Sequence, residues 1–171
     1  MSESLQEYLV RKREINKQKR ARRMVIPVAG YEDRFAGQYK ILTFEERRAI
    51  QQNHDEIGEQ DDGMELVNAS ADFIIAANED LLEITSPGTN GDGPSYRSLG
   101  KRWMAPTIGE LFGIPVTAPN GQVIPARDAL KLVMESDEIM DHFGAITREG
   151  DLILAEVEDE TQGEAEPSQE G

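Results

Sequence analysis

Residues 64–84 read MELVNASADFIIAANEDLLEI, and apolar side chains recur through them at the spacing of a helix. One stripe of the predicted helix contains Met64, Val67, Ala71, Ile74, Asn78 and Leu81. The stripe is widened by Leu66, Phe73, Ala77 and Ile84. An apolar face of this width is typical of a helix that packs against several other elements. We therefore predict one helix over residues 64–84, at the centre of the core.

The segments before this helix predict two further helices with a short strand between them. Residues 3–23 can form a helix, although its thin apolar stripe fades after Ile15. The apolar residues of 24–28 suggest a short strand, in which Pro27 is compatible only with an edge or irregular position. Thr43 and Glu46 have the spacing of a capping box, so a helix is expected to begin there.

The segments after it predict a surface loop and several shorter helices. Residues 85–95 have the Gly, Pro, Ser and Asn composition of a loop. Thr107 and Glu110 suggest a second capping box, and Gly113 is expected near the end of that helix. Pro125 suits the first turn of another helix, and Ser136 is a candidate cap for the last one.

These patterns predict a mostly α protein, a small helical domain with one or two minor short strands. A basic N-terminal helix is expected at residues 1–23 and a helical core domain at residues 24–150. Residues 151–171 are expected to form a disordered acidic C-terminal tail, because from Glu156 onward the chain has seven acidic residues, no base and no large apolar residue after Val157.

Charge is divided unevenly along the 171 residues. The net charge is −15, of which residues 1–23 contribute +5 and residues 24–171 contribute −20. A strongly acidic body argues against a general nucleic-acid-binding protein.

There is no Cys, which excludes disulfides, thiolate nucleophiles and Cys-based zinc sites. No secretory signal or membrane-spanning stretch is visible, so a cytoplasmic location is expected.

Motifs for catalysis, metal binding and cofactor binding are missing from the sequence. His54 and His142 do not have the spacing of a metal-binding pair; His54 is expected in a solvated loop, and His142 at the surface or its boundary. The acidic residues 55–65 do not match an EF-hand loop, and Gly93 and Gly100 are six residues apart, too far for a phosphate loop. We therefore predict no enzyme activity, no metal and no cofactor.

The basic helix has three interpretations. As a nucleic-acid arm it has the charge, but its own acidic body repels phosphate within a Debye length of about 8 Å. As a membrane-surface helix it has too few apolar residues and neither Trp nor Phe. The favoured interpretation is a helix that faces a protein partner or neutralises the protein's own acids. Its candidate partner-binding residues are Arg13, Lys17, Arg20 and Arg23.

Three stretches resemble a known family. MVIPVAGYEDRFAGQYKILTFEERRAI, from residue 24, resembles the start of tail assembly chaperones of long-tailed phages of actinobacteria. NASADFIIAANEDLLEI, from residue 68, resembles their Ala-rich apolar helix. SYRSLGKRW, IGELFGIP, ARDALKLVME and DHFGAI resemble their closing part in order. The likeness covers roughly residues 10–148, and the segment VTAPNGQVIP, from residue 116, is longer than the family pattern.

The resemblance implies a largely helical, non-catalytic protein that coats the tape measure protein before the tail tube assembles. The opposite charges of the basic helix and the acidic body permit contacts between copies, so a homo-oligomer or multi-copy assembly is expected. It also implies a longer frameshifted product that shares this N-terminal part. Exposed apolar positions near Trp103 and Phe112 are expected to join the basic helix in contacting the partner, and the alternative for each of these two residues is ordinary core packing. The alternatives are a structural virion protein of the tail or connector, or a nucleic-acid-associated regulator that uses the basic helix.

Overall fold

The fold comprises six helices and four strands within residues 2–54, 63–89 and 91–165, which are the residues that the computed structural model describes, with side chains as far as residue 155. In chain order the elements are α1 (Leu5–Ala21), β1 (Arg23–Pro27), β2 (Phe35–Lys40), α2 (Phe44–Asn53), α3 (Met64–Ala77), β3 (Asn78–Ser86), β4 (Ser95–Ser98), α4 (Ala105–Phe112), α5 (Ala126–Val133) and α6 (Ser136–Ala165).

The four strands form one antiparallel sheet in the order β1–β2–β3–β4. In its register Ile26 lies opposite Gly37, and Gly37 lies opposite Leu81. The main core contains Met24, Ile26, Tyr39 and Leu81 from the strands, together with buried residues of α3, α4, α5 and α6. The architecture is therefore α+β. The predicted fold class, mostly α with one or two minor strands, is wrong. Strand β2 has too few apolar residues to indicate a strand, and the apolar residues of β3 were assigned to the predicted helix over residues 64–84.

The predicted helix over residues 64–84 is also wrong in its second half. Helix α3 ends at Ala77, and the chain continues directly into β3 at Asn78. Leu81 belongs to the core between sheet and helices, whereas Leu82 and Ile84 are buried in a separate apolar cluster. Leu82 and Ile84 are two residues apart, which is the spacing of one strand face. The same residues also fitted a helical stripe, and the sequence pattern did not separate the two periods.

The buried Asn78 side chain fixes the point where helix becomes strand. Its Nδ2 donates to the backbone oxygens of Gln38, at 3.2 Å, and Asp80, at 2.9 Å. Its Oδ1 accepts a hydrogen bond of 2.8 Å from the backbone nitrogen of Trp103. One side chain therefore connects β2, β3 and the segment that leads into α4, and these bonds offset the cost of burying a primary amide.

Helix α6 runs further than the sequence indicated. A disordered tail was predicted from residue 151, but the helix continues to Ala165, and Ile153 is buried in the main core. Ile146 and Ile153 are both buried and are two helical turns apart, so the apolar face extends beyond the predicted boundary at residue 150. Residues 166–171 of the predicted tail lie outside the described residues.

The N-terminal helix α1 forms as predicted, with slightly shorter bounds. Ser4 and Glu7 form a capping box at its start, and none of its residues is buried. Arg20 and Lys19 lie in its last turn, where basic side chains interact favourably with the helix dipole. Within the described part of the chain, no helix has the length and hydropathy that crossing a membrane requires.

Candidate partner-binding groove

An open cavity of about 680 Å³ lies between α2, α3 and α6. Its remaining wall comes from Met24 of β1, from Lys40 at the end of β2, and from Ile41 and Leu42 directly after it. The apolar lining residues are Met24, Ile41, Leu42, Phe44, Ile50, Leu66, Ala69, Phe73, Phe143, Ile146 and Leu154. A mostly apolar concave surface of this size is typical of a binding site.

The groove exposes apolar side chains to solvent at its edge. Phe44 of α2 is 65% exposed, and Leu66 of α3 is 56% exposed. Deeper in the groove, Met24, Leu42 and Ile146 are buried and belong to the main core. The groove is therefore a continuation of the core surface that no described element covers. Contiguous exposed apolar surface of this kind marks interaction sites in folded proteins.

The charged rim of the groove is mainly basic, although the protein is acidic. Lys40, Arg47 and Arg48 line it, with Asp151 as the acidic residue among the lining side chains. Lys40 Nζ lies 2.9 Å from Glu46 Oε2, and this contact lowers the pKa of the Glu46 carboxyl. Arg47 and Arg48 are exposed, and neither has an ion pair with another described residue. Two arginine side chains are thus available at the edge of an apolar surface.

His54 closes one end of the groove and joins α2 to α3. Its Nδ1 lies 2.6 Å from Glu65 Oε2, and its Nε2 lies 2.7 Å from Asp72 Oδ2. Both ring nitrogens can donate to carboxylates only in the protonated imidazolium. The hydrogen bonds to Glu65 and Asp72 raise the pKa of His54, whereas burial opposes the rise. The expected solvated position of His54 is wrong, since its side chain is buried.

A second set of buried hydrogen bonds, among Tyr39, His142 and Trp103, connects the sheet to α6. The Tyr39 hydroxyl lies 2.5 Å from His142 Nε2 and accepts a 3.0 Å hydrogen bond from Trp103 Nε1. Burial lowers the pKa of His142 to about 4, so the ring is neutral and Nε2 accepts a hydrogen bond from the Tyr39 hydroxyl. Burial also raises the pKa of Tyr39. The expected surface position of His142 is wrong, because the ring is enclosed in the core.

The hydrogen bonds among Tyr39, His142 and Trp103 stabilise the fold and do not form an accessible site. Trp103 and Tyr39 are both fully enclosed, so no substrate reaches the hydroxyl or the imidazole in this conformation. The polar atoms instead satisfy one another across β2, α6 and the segment before α4, as buried polar atoms normally do. Within the described residues, no group of three or more His, Asp or Glu side chains is arranged to hold a metal ion.

The predicted partner-binding residues fall into two separate sets. Arg13, Lys17 and Arg20 are exposed on α1, and Arg23 is exposed but forms an ion pair with Glu79.

Trp103 and Phe112 do not join these bases on a common exposed surface. Trp103 is only 1% exposed, and Phe112 packs edge-on against Tyr31 and Phe35, at centroid distances of 5.2 and 5.9 Å. Trp103 is therefore a core residue and Phe112 is partly buried against the core, whereas exposed apolar side chains lie beside them in the sequence at Met104 and Leu111.

The residues at the edge of the groove were missed by the sequence analysis. Phe44, Arg47 and Arg48 have the i, i+3, i+4 spacing of one helix face, and this was the signal available in the sequence. Leu66 was assigned to a buried stripe. The groove itself brings together three helices from distant parts of the chain, and no local pattern encodes that meeting.

Comparisons with protein-family models, with curated proteins and with solved structures found no match.

Proposed function

We propose that this protein is a non-catalytic tail assembly chaperone, which binds the tape measure protein of a long-tailed phage and keeps it in solution. The observation that carries the proposal is the open apolar groove with Phe44 and Leu66 exposed at its edge. A long helical client with apolar stripes aggregates when those stripes are bare, and a groove of this kind covers one of them. The resemblance of residues 10–148 to the chaperone family supplies the client's identity.

Two further features support a binding role. The Ser70 hydroxyl in the groove wall donates to the backbone oxygen of Leu66 at 2.8 Å, and His54 is committed to two carboxylates, so these groups are not arranged as a nucleophile and its base. The net charge of −15 also suits a protein that keeps an apolar client dispersed, since like-charged complexes repel one another.

Co-expression with the tape measure protein tests the proposed function. We expect the soluble fraction of the tape measure protein to rise when the full chain is present. Removal of residues 1–22 tests the separate contribution of α1, because none of the residues of α1 is buried and the deletion leaves β1 complete from Arg23. Equal solubility with and without the full chain would refute the chaperone role. Presence of the protein in purified mature particles would favour the structural virion alternative.

Substitution Phe44→Ala tests whether the client uses the groove. Phe44 is largely exposed, so we expect the free energy of unfolding to change by no more than about 0.5 kcal/mol. Client affinity should fall about tenfold, as for an aromatic side chain central to an interface. The matched control is Leu132→Ala, because Leu132 is 57% exposed on α5 and does not line the groove. Equal client affinity for the two variants would place the contact elsewhere.

A further inference from the structure

We propose that the occupant of the groove is an acidic amphipathic helix, which inserts an apolar face between α2, α3 and α6 and sets its carboxylates against Arg47 and Arg48. The inference rests on the proposed function, and it specifies the chemistry of the client segment. Its basis is a local reversal of charge. The chain outside residues 1–23 has a net charge of −20, yet Lys and Arg outnumber Asp and Glu by three to one among the side chains that line the groove.

The geometry of the groove fits a helical segment. Its α2 wall has ten residues and is therefore about 15 Å long, which matches about three turns of a bound helix. Phe44, Arg47 and Arg48 share one face of α2, so an apolar contact and two guanidinium groups meet the same occupant. A helix that carries apolar residues at i, i+3 or i+4, and i+7 with acids beside them satisfies both features. Arginine also binds carboxylates in a bidentate geometry, which favours Glu and Asp on the partner.

The protein's own terminal segments are poor candidates for this occupant. Helix α1 carries the basic cluster of residues 11–20, which Arg47 and Arg48 repel. Residues 156–171 have the required acidic charge, but Val157 is their sole large apolar residue, so they lack the side chains that would fill the groove. Charge and apolar content together therefore point to a segment of another protein.

Peptide binding measured by fluorescence anisotropy tests the proposal on the full chain. The probes are two labelled helical peptides of about 14 residues with identical apolar positions, one flanked by Glu and the other by Lys. We expect the Glu peptide to bind about tenfold more tightly at low salt, and this preference should shrink as the salt concentration rises from about 0.05 M to about 0.5 M. A scrambled Glu peptide, which has the same composition without the apolar face, should bind much more weakly.

Charge reversal locates the interaction. In the double variant Arg47→Glu/Arg48→Glu the preference should invert, so that the Lys peptide binds more tightly. The control Arg34→Glu/Arg97→Glu makes the same change in net charge away from the groove lining and should leave the preference for Glu intact. Both pairs of side chains are exposed, and an unchanged melting temperature will show that each variant is folded.

The outcomes separate this proposal from the proposed function. Equal affinity for the two peptides, no binding of either, or an unchanged preference in the Arg47/Arg48 variant would overturn the acidic-helix proposal. Self-association that the Glu peptide does not reverse would show that a second copy fills the groove, and would overturn it as well. If the Glu peptide binds as expected but the tape measure protein stays insoluble on co-expression, the groove chemistry is supported and the chaperone function fails.

Discussion

Gly37 lies beside the Tyr39 hydroxyl in a position where no side chain fits. A Cβ atom added at Gly37 would overlap the hydroxyl and its ring carbon. The same hydroxyl bonds both His142 and Trp103, so it has little freedom to move aside. Because Gly37 has no side chain, the Tyr39 hydroxyl has room to form its hydrogen bond with His142 of α6.

Substitution Gly37→Ala should lower the free energy of unfolding by about 1–3 kcal/mol, as expected for overpacking in a core. Urea unfolding followed by Trp103 fluorescence measures the change. The control is Gly93→Ala, because the space around Gly93 is open and the added methyl group meets no atom. Equal stability of the two variants would show that the Tyr39 hydroxyl is free to move.

The two buried histidines should give the protein opposite dependences on pH. His54 is stabilised in its charged form, so its folded-state pKa lies above that of the unfolded chain, and its contribution is lost as pH rises through the folded value. His142 has a folded pKa of about 4, so its burial as a neutral ring becomes costly as pH falls from about 6.5 toward 4. Stability from these two groups is therefore greatest near the ordinary pKa of histidine.

Substitution His54→Gln isolates the first effect. Among the described residues, the charged groups in contact with His54 are Glu65 and Asp72, and Arg127 Nη1 lies 3.2 Å from Asp72 Oδ2. We expect the wild-type protein to lose more stability than the variant as pH rises above about 6.5, because glutamine has no proton to lose. Urea midpoints measured between about pH 5 and pH 9 provide the comparison. If stability changes with pH in the same way for both proteins, folding does not raise the pKa of His54.

At the scale of the elements, the sequence predicts helix starts from local capping patterns, and these predictions had mixed outcomes. The capping box of Thr43 and Glu46 is confirmed, since both of its reciprocal hydrogen bonds form at the start of α2. The box suggested at Thr107 is wrong, because α4 has already begun at Ala105 and has no side-chain cap. Pro106 occupies the first turn of α4 instead, where its missing N–H costs nothing.

The strands and the groove depend on partners far away in the sequence. Strand β4 has four exposed residues, and its pairing with β3 is what defines it as a strand. Its residues alone therefore gave no apolar signal to predict from. Likewise, His54 is buried only because α3 carries Glu65 and Asp72 on the face that meets α2. Sequence patterns predicted the helices near these residues, but not the contacts between them.

Substitution Ile74→Asp should unfold the domain, because Ile74 is completely buried on the α3 face that meets the core. An unpaired carboxylate in that position costs several kcal/mol, which is comparable to the whole stability of a small domain. Circular dichroism and the melting temperature measure the effect. The control on the same helix is Leu66→Asp, whose exposed side chain should tolerate the charge. A cooperative melt of the Ile74 variant at the wild-type temperature would contradict the assigned core.

At the scale of the whole molecule, opposite charges occupy different parts of the chain. Arg13, Lys17 and Arg20 extend from the domain on a helix that has no buried residue. The rest of the chain has a net charge of −20, with the basic groove rim as a local exception. This arrangement favours contacts with acidic protein surfaces over contacts with a polyanion, because a protein partner can meet the basic sites without also facing the acidic body.

Duplex DNA is the polyanion that tests this arrangement. A duplex has one charge for about every 1.7 Å of its axis, so its approach to α1 also brings phosphates within reach of the acidic domain. We expect no sequence-selective binding tighter than about 10⁻⁶ M at near-physiological salt, which is the limit of typical non-specific affinity. Electrophoretic shifts with the full chain and with residues 1–22 removed, which leaves β1 complete, make the comparison. A selective shift that disappears with the deletion would assign α1 to DNA, and would favour the nucleic-acid-associated regulator over the chaperone.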